Sequence, residues 1–367
     1  MPIYMDIHHV PGAEALDLAE AHRKDMLIQD DYQCKAMTYW LDANRGVAFC
    51  LIEAPDKSIV EEMHRMSHGL VPHKVIEVRD DLVESFLGRI TDPQDAALSA
   101  NGLKVFSDPA FRVLLVTDRT DTLLLQHRLG RESADQLLKN QHAVIRQQLF
   151  NAGGREVEHS GHGFIASFAS AATAVACALQ IRENLSEEER NLAGFSMVIN
   201  AGEPVEKKSD QLFGDTLQLA RQLNSIIHQN RIVISAAVKA LLGRDYPQMD
   251  QQQFLSLPPQ DEALLSALFA TLEKNWQECD FDVTEFCQAM AMSKSQLYRK
   301  TIFFWGMPPN LLLREFRLNK ARELLRKQSF NIAQATFDCG FSSPSYFTKC
   351  FKKKYGLLPA VYQDLLQ

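Results

Sequence analysis

Over the first ninety residues the apolar positions switch between a period of two and a period near 3.6. Ile3–His9, residues 35–41, Val47–Glu53 and Lys74–Val78 read as strands, and residues 12–29 and 58–67 as amphipathic helices. A turn at residues 42–46 joins the middle two strands. The order βαββαβ is that of a ferredoxin-like sandwich. A second mixed block follows: strand 112–117, a helix through residue 147, a hairpin of 155–159 and 164–168, helix 171–185, strand 194–201, helix 214–227 and strand 231–235. Past residue 262 the pattern is helical throughout. Residues 88–109 mix Gly, Pro, Ser, Asn and Asp, and residues 244–261 are rich in Pro and Gln; both break periodicity and read as linkers. The chain divides into blocks 1–90, 110–243 and 262–367.

The last block holds two similar units, residues 282–301 and 332–352. Each is a short apolar-periodic helix, a tight turn, and a second helix with a polar, partly basic outer face. This is the helix-turn-helix pattern, and its second helix has the width of the DNA major groove. Ser293 and Ser343 precede the two second helices, where a hydroxyl can cap free N–H groups. Gly340 sits where a turn needs positive φ. Leu297, Phe347 and Phe351 recur at helical spacing and belong to the core.

Charge changes the picture only when it is divided. The net charge is −7, yet residues 262–367 carry 14 Lys and Arg against 10 Asp and Glu, a net of +4, so the remainder carries −11. Positive charge is concentrated where phosphates would be met. The seven cysteines show no C-x-x-C spacing and read as reduced, mostly buried thiols. There is no apolar run of membrane-spanning length and no signal-peptide pattern at the N-terminus, so the expected location is cytoplasmic, away from membrane.

Residues 262–367 resemble the AraC-type regulator domain. The resemblance is carried by Leu297, Tyr298 and Arg299, by Gly306 through Pro309, and by residues 318–325. Gly340, Phe341, Ser343, residues 346–352, Tyr355, Gly356 and Pro359 complete it. It implies double-stranded DNA as partner. The DNA-facing set it implies is Ser295, Gln296, Tyr298 and Arg299 in the first unit and Ser343, Ser345, Tyr346 and Lys349 in the second. Arg299 is the best candidate for a guanine contact, since one guanidinium can bond O6 and N7 together. The run Lys352, Lys353, Lys354 reads as phosphate contact or solvated face.

Residues 111–240 resemble a class III nucleotide cyclase domain through residues 116–122, 153–164, 201–204 and 212–220. The family's first metal carboxylate falls at Asp118. Its second falls at His162, a poor ligand for magnesium, which prefers hard oxygen. Its base-reading Lys falls at Glu158, its Asn at Gln218 and its Arg at Gln222; Arg221 is one position off. The resemblance implies a cyclase-like α/β sandwich without its chemistry, kept for dimerisation or ligand sensing. The fold class expected is thus multidomain α+β: a ferredoxin-like N-terminal domain, a cyclase-like middle and an all-α double helix-turn-helix domain.

The first block is rich in histidine. His8 and His9 end the first strand, His64 and His68 lie one turn apart on one helical face, and His22 and His73 are near in sequence. A pair at i and i+4 can share a metal. Imidazole suits nickel, zinc and copper alike. Residues 1–79 resemble a small ferredoxin-like family, one branch of which binds nickel. Tyr4 through His8, Pro11, Gly12, Tyr39, Trp40, residues 49–55 and His64 through Gly69 carry that resemblance. It implies a site of His8, His64 and His68, with Asp6 as a further ligand; His9 replaces His8 if the strand turns the other way.

The combined expectation is a homodimeric, non-enzymatic DNA-binding regulator. Its effector is nickel or another transition metal at the first block, or a nucleotide or small organic molecule in the middle block. An active cyclase tethered to DNA and a metal storage protein are the rival readings.

Overall fold

The structure, a computed structural model, describes residues 1–160, 163–226, 232–243, 253–327 and 331–366. The first domain runs β1 (Ile3–His9), α1 (Ala15–Ile28), β2 (Lys35–Asp42), β3 (Val47–Glu53), α2 (Lys57–Ser67) and β4 (Lys74–Val78). Its sheet has the order β2-β3-β1-β4 with antiparallel neighbours, the order of a ferredoxin-like sandwich. Helix α2 starts where the Asp56 carboxylate accepts from the N–H groups of Ser58 and Ile59. Both faces of the sheet are covered. Tyr4, Cys50, Ile52 and Val75 share a core with Leu18 and Ala19 of α1 and Val60 and Met63 of α2. Met5, Ile7, Phe49, Leu51 and Ile76 join a different one.

That second face is closed by α3 (Asp80–Leu87), a helix the sequence pattern did not predict, through Val83, Phe86 and Leu87. The middle domain adds Val205, Leu212 and Phe213 to the same cluster. The segment read as a first linker is not free either. It forms a short hairpin, β5 (Ala97–Leu98) with β6 (Lys104–Val105), and Phe106 stacks on Tyr39 with ring centroids 4.2 Å apart. Arg89 lies over the Trp40 ring at 4.4 Å.

The middle domain contains β7 (Arg112–Asp118), α4 (Thr122–Leu129), α5 (Arg131–Asn151), β8 (Arg155–Ser160), β9 (Gly163–Phe168), α6 (Ala171–Asn184), α7 (Glu187–Ala193), β10 (Ser196–Gly202), α8 (Gly214–Asn224), β11 (Ile232–Ile234) and α9 (Ala236–Leu242). The helix expected to run on to residue 147 is two helices, broken at Gly130 with φ +83°. A further strand, β12 (Phe254–Leu255), lies inside the second predicted linker and pairs parallel with β11. The six strands order as β12-β11-β10-β7-β9-β8. Val113 and Leu115 of β7 face the core shared with α5 and α6, while Val116 faces α8, as a period of two requires.

The C-terminal domain is helical: α10 (Pro259–Asn275), α11 (Val283–Ala289), α12 (Lys294–Trp305), α13 (Pro309–Arg326), α14 (Ile332–Asp338), α15 (Pro344–Tyr355) and α16 (Pro359–Asp364). Helix α10 begins within the predicted linker, because Pro259 is well placed at a helix start and Leu265, Leu268 and Leu272 then bury against α8. The core of the first helix-turn-helix is therefore continuous with that of the middle domain. Trp305 Nε1 donates to Ser225 Oγ at 3.0 Å across the same junction. The second unit has its own core around Leu318, Phe347, Phe351 and Tyr362. It meets the middle domain at Asp121, a fully buried carboxylate. Asp121 accepts from the Leu123 N–H at the start of α4, from Tyr362 Oη at 2.9 Å and from Arg326 at 3.1 Å. Among the described residues, no helix is long and apolar enough to cross a membrane.

Two stability measurements follow. Gly340 has φ +71°, and a Cβ there would lie 2.6 Å from the Trp276 carbonyl oxygen. Gly340→Ala should cost at least about 1–2 kcal/mol from backbone strain alone in urea unfolding. Asp121→Ala removes the buried acceptor that Tyr362 Oη and Arg326 share. It should cost about 3 kcal/mol and speed proteolysis within residues 331–366 before the rest of the chain is cut.

Candidate functional site

The period of two along β1 sends Asp6 and His8 toward α1 and α2. His8 is buried and His9 exposed, which selects His8 of the two alternatives. His9 instead pairs with His73 at the surface, with ring centroids 4.3 Å apart. On α2, His64 is fully buried and lies between two carboxylates. Its Nε2 is 2.9 Å from Asp6 Oδ2, and its Nδ1 is 3.3 Å from Asp25 Oδ1 and 2.9 Å from His68 Nε2. His68 Nε2 is itself 3.3 Å from Asp25 Oδ1. The Leu70 N–H donates to His68 Nδ1, so a neutral His68 ring carries its proton on Nε2, facing the cluster. Asp6 Oδ1 also accepts from the Cys50 N–H at 3.0 Å, its partner across β1 and β3.

Burial alone would lower the His64 pKa, but Asp6 and Asp25 outweigh it and push it up to about 10. Burial would likewise raise both carboxyls. His8 and His64 instead hold Asp6 well below the usual carboxylate range, and His64 and His68 do the same for Asp25. Burial, with Asp6 and Asp25 close by, pushes the Cys50 thiol well above its ordinary value. Two buried negative charges thus need a cation among them, and here a proton on His64 supplies part of it.

The donors form two groups that share His64: Asp6, His8, Cys50 and His64 on one side, and Asp25, His64 and His68 on the other. In each group the ligand atoms lie within 4.8 Å of one another. The trio of His8, His64 and His68 expected from sequence is thus divided between two sides of one ring. His8 supplies an independent sign of fit. Both of its ring nitrogens are buried without a hydrogen bond, although Nε2 is 3.2 Å from Asp6 Oδ1. Imidazole, carboxylate and thiol together suit a borderline transition metal better than magnesium or calcium.

Sequence reasoning missed Asp25 and Cys50. Asp25 could have been found, because it falls on the buried stripe of α1 with Leu18 and His22. Cys50 has no such signal and is found only through its pairing with Asp6. His22, near in sequence, is elsewhere: its Nε2 lies 3.5 Å from Asp92.

In the C-terminal domain, Ser293 Oγ accepts from the Gln296 N–H and Ser343 Oγ from the Tyr346 N–H, so both caps form. Leu297, Phe347 and Phe351 are fully buried. Ser295, Gln296, Tyr298, Arg299, Ser345, Tyr346 and Lys349 are exposed, and Ser343 is half-buried at its cap. Tyr346 Oη accepts from Arg314 of α13 at 3.3 Å. The basic run divides: Lys352 and Lys353 are exposed, whereas Lys354 pairs with Glu315 at 2.8 Å and is withdrawn from any phosphate.

The positions compared with a cyclase do not converge. Asp118 and Glu158 line one cleft, while Gln218 and Gln222 line another between α8 and α10. Gln222 Oε1 accepts from Ser266 Oγ at 2.7 Å and helps hold α10. Asp118 accepts from Asn224 Nδ2 at 2.8 Å. His162 lies outside the described residues.

Comparison with known proteins adds two family matches. Residues 286–364 match a helix-turn-helix domain family, and residues 4–78 match the family described as nickel responsive protein SCO4226-like. Over 104 residues the chain is 38% identical to histidine kinase P4 of Formosa agariphila, covering 28% of this chain and 8% of that one. Over 147 residues it is 24% identical to the HTH-type transcriptional regulator CdhR of Pseudomonas aeruginosa, covering 40% and 44%. The chain thus spans less than half the length of either relative. It is also similar to the crystal structure of SCO4226 from Streptomyces coelicolor, at 27% identity and TM-score 0.20, covering 21% of this chain and 94% of that one. The family models thus place a helix-turn-helix domain at residues 286–364 and a domain similar to the nickel responsive SCO4226-like proteins at residues 4–78, and the two capped helix pairs and the sheet order agree with those matches.

Proposed function

We propose that this chain is a sequence-specific DNA-binding transcription regulator whose N-terminal domain holds a transition metal, nickel by preference, around His64. The observation that carries the reading is the donor cluster itself: two buried carboxylates, three imidazoles and a thiol meeting at one helix. A divalent ion would balance the charge of Asp6 and Asp25 and could be bound by His8, whose Nδ1 has no hydrogen bond among the described residues. It would replace the proton that His64 otherwise keeps. When bound it supplies charge and fixed geometry, not chemistry on a substrate. The family description of residues 4–78 favours nickel over zinc or copper.

The reader is the pair α12 and α15, with Arg299 as the guanine contact and Ser295, Gln296, Tyr298, Ser343, Ser345, Tyr346 and Lys349 beside it. The packing supports a route between sensor and reader. Asp6 and His8 belong to the donor cluster while Met5 and Ile7 of the same strand share a core with Phe213. Phe213 begins α8, and α8 packs on α10. A shift at the cluster can therefore bias the placement of the DNA-binding domain by population shift. We read the middle domain as a cyclase-like fold without catalysis, serving homodimerisation, since Glu158, Gln218 and Gln222 replace the groups the chemistry needs.

Calorimetric titration of the metal-free full chain with nickel, zinc and copper tests the sensor. Nickel should bind, and His64→Ala should weaken it by at least about 100-fold. Asp25→Asn and Cys50→Ser then tell which side of His64 holds the ion. DNA anisotropy on a sequence selected from a random pool tests the reader. Arg299→Ala should cost about 1–3 kcal/mol on that sequence and little on random DNA. Nickel binding that leaves DNA affinity and sequence choice unchanged would overturn the regulatory link and favour storage.

A further inference from the structure

A cleft runs along the middle sheet where all three domains meet. One end, of about 490 Å³, is lined by Asp118, Arg119 and Asn224 of the middle domain and by Arg322 of α13, the helix that links the two helix-turn-helix units. The other end, of about 440 Å³, is lined by Val78, Leu82 and Phe86 of the first domain and Val157, Leu212 and Leu217 of the middle domain. Glu158, Ile165 and Arg221 line both ends, so the two spaces adjoin. Each has the size of a small-molecule site.

The two ends differ in chemistry. The first-domain end has an apolar floor of Val78, Leu82, Phe86, Val157, Leu212 and Leu217, with Glu77, Arg79, Asp210 and Gln211 also in its lining. The α13 end carries three guanidinium groups. Arg221, at the join, is exposed and makes no ion pair among the described residues. Arg322 Nε is buried without a hydrogen bond, 4.0 Å from Asp121. Carboxylates line the cleft too, but Asp118 is already held by Asn224 and by the Arg119 N–H, Asp210 pairs with Lys74 at 3.0 Å, and Glu77, Glu158, Asp210 and Glu323 are exposed to solvent. The arrangement fits a molecule with an apolar body and one anionic head.

We propose that this cleft binds an amphipathic organic acid, its body against Leu82, Phe86 and Leu217 and its head on Arg221 and Arg322. A guanidinium fork suits the two acceptor oxygens of a carboxylate, and a sulfonate or phosphate presents the same acceptors. Because α3, the middle sheet and α13 each supply a wall, occupancy biases how the reader sits on the rest of the chain. The site is independent of the metal cluster, which lies on the opposite face of the first sheet.

The test uses anilinonaphthalene sulfonate, an aromatic body with an anionic head, titrated into the metal-free full chain by fluorescence. One saturable site is expected, weakened about tenfold in Arg221→Glu and similarly in Val157→Trp, which fills the apolar end. Arg221→Gln serves as a milder second variant, with thermal melting as the check on folding. Decanoate should displace the probe, and decanol, with the same body and no charge, should displace it far less. Decanoate should also shift DNA affinity in the parent chain and not in Arg221→Glu. No saturable site, equal binding in the variants, or equal displacement by decanol overturns the proposal. Nickel titration of Arg221→Glu should match the parent, so failure here is distinguishable from failure at His64.

Discussion

Strand β1 has no face left to water. Its even positions meet α1 and α2, its odd positions meet α3 and the middle domain, and most of the architecture depends on that double burial. An isolated ferredoxin-like sheet packs helices on one face only and leaves the other to solvent or to a partner. Here the second face is paired within the chain, by Phe86 and Phe213 with ring centroids 4.7 Å apart. The consequence is mechanical. A buried cluster of charged donors on one side is separated from a domain junction on the other by the thickness of one strand. Close-packed interiors transmit such displacements, because they have few voids in which to absorb them.

The same economy governs the DNA-binding domain. Its first unit has no separate core: Leu265, Leu268 and Leu272 share one core with residues of α8, α12 and α13. Its second unit is held differently, by the buried Asp121 carboxylate serving Tyr362 and Arg326 and by Leu123 and Leu124 of α4 packed on its core. The apolar junction is broad and non-directional. The Asp121 junction combines a few directional hydrogen bonds with the apolar contact of Leu123 and Leu124. The two units are therefore joined to the middle domain by different kinds of contact, and the cleft beside Arg322 adjoins the Asp121 junction.

Gln222 shows what a neutral side chain can do at a buried junction. A cationic side chain at this buried place would need a counter-charge. The neutral amide needs only the Ser266 hydroxyl, and it joins two domains. Lys354 makes a related point. It stands in a run of three lysines that looks uniform, yet helical geometry turns it onto Glu315 while its two neighbours stay in water.

Local rules account for what the chain itself determined. The alternation of Ile3–His9, the hydroxyls of Ser293 and Ser343 and the glycine at 340 act within a few residues, so the N-terminal fold, the caps and the exposed faces of α12 and α15 were legible in the sequence. The helical stripe of α1 even carried the signal for Asp25. What the tertiary structure decided depends on contacts that no local pattern encodes. Cys50 joins the cluster only because β3 pairs with β1 in one register. His64 divides its two nitrogens between two carboxylates only because α1 and β1 pack on opposite sides of it. The apparent linkers became a short hairpin beside α1, an edge strand and the start of α10, because Phe106, Phe254 and Leu265, spaced without a clear period, found apolar partners once three domains met. Burial depends on what lies across the fold, and a sequence states only what lies beside it.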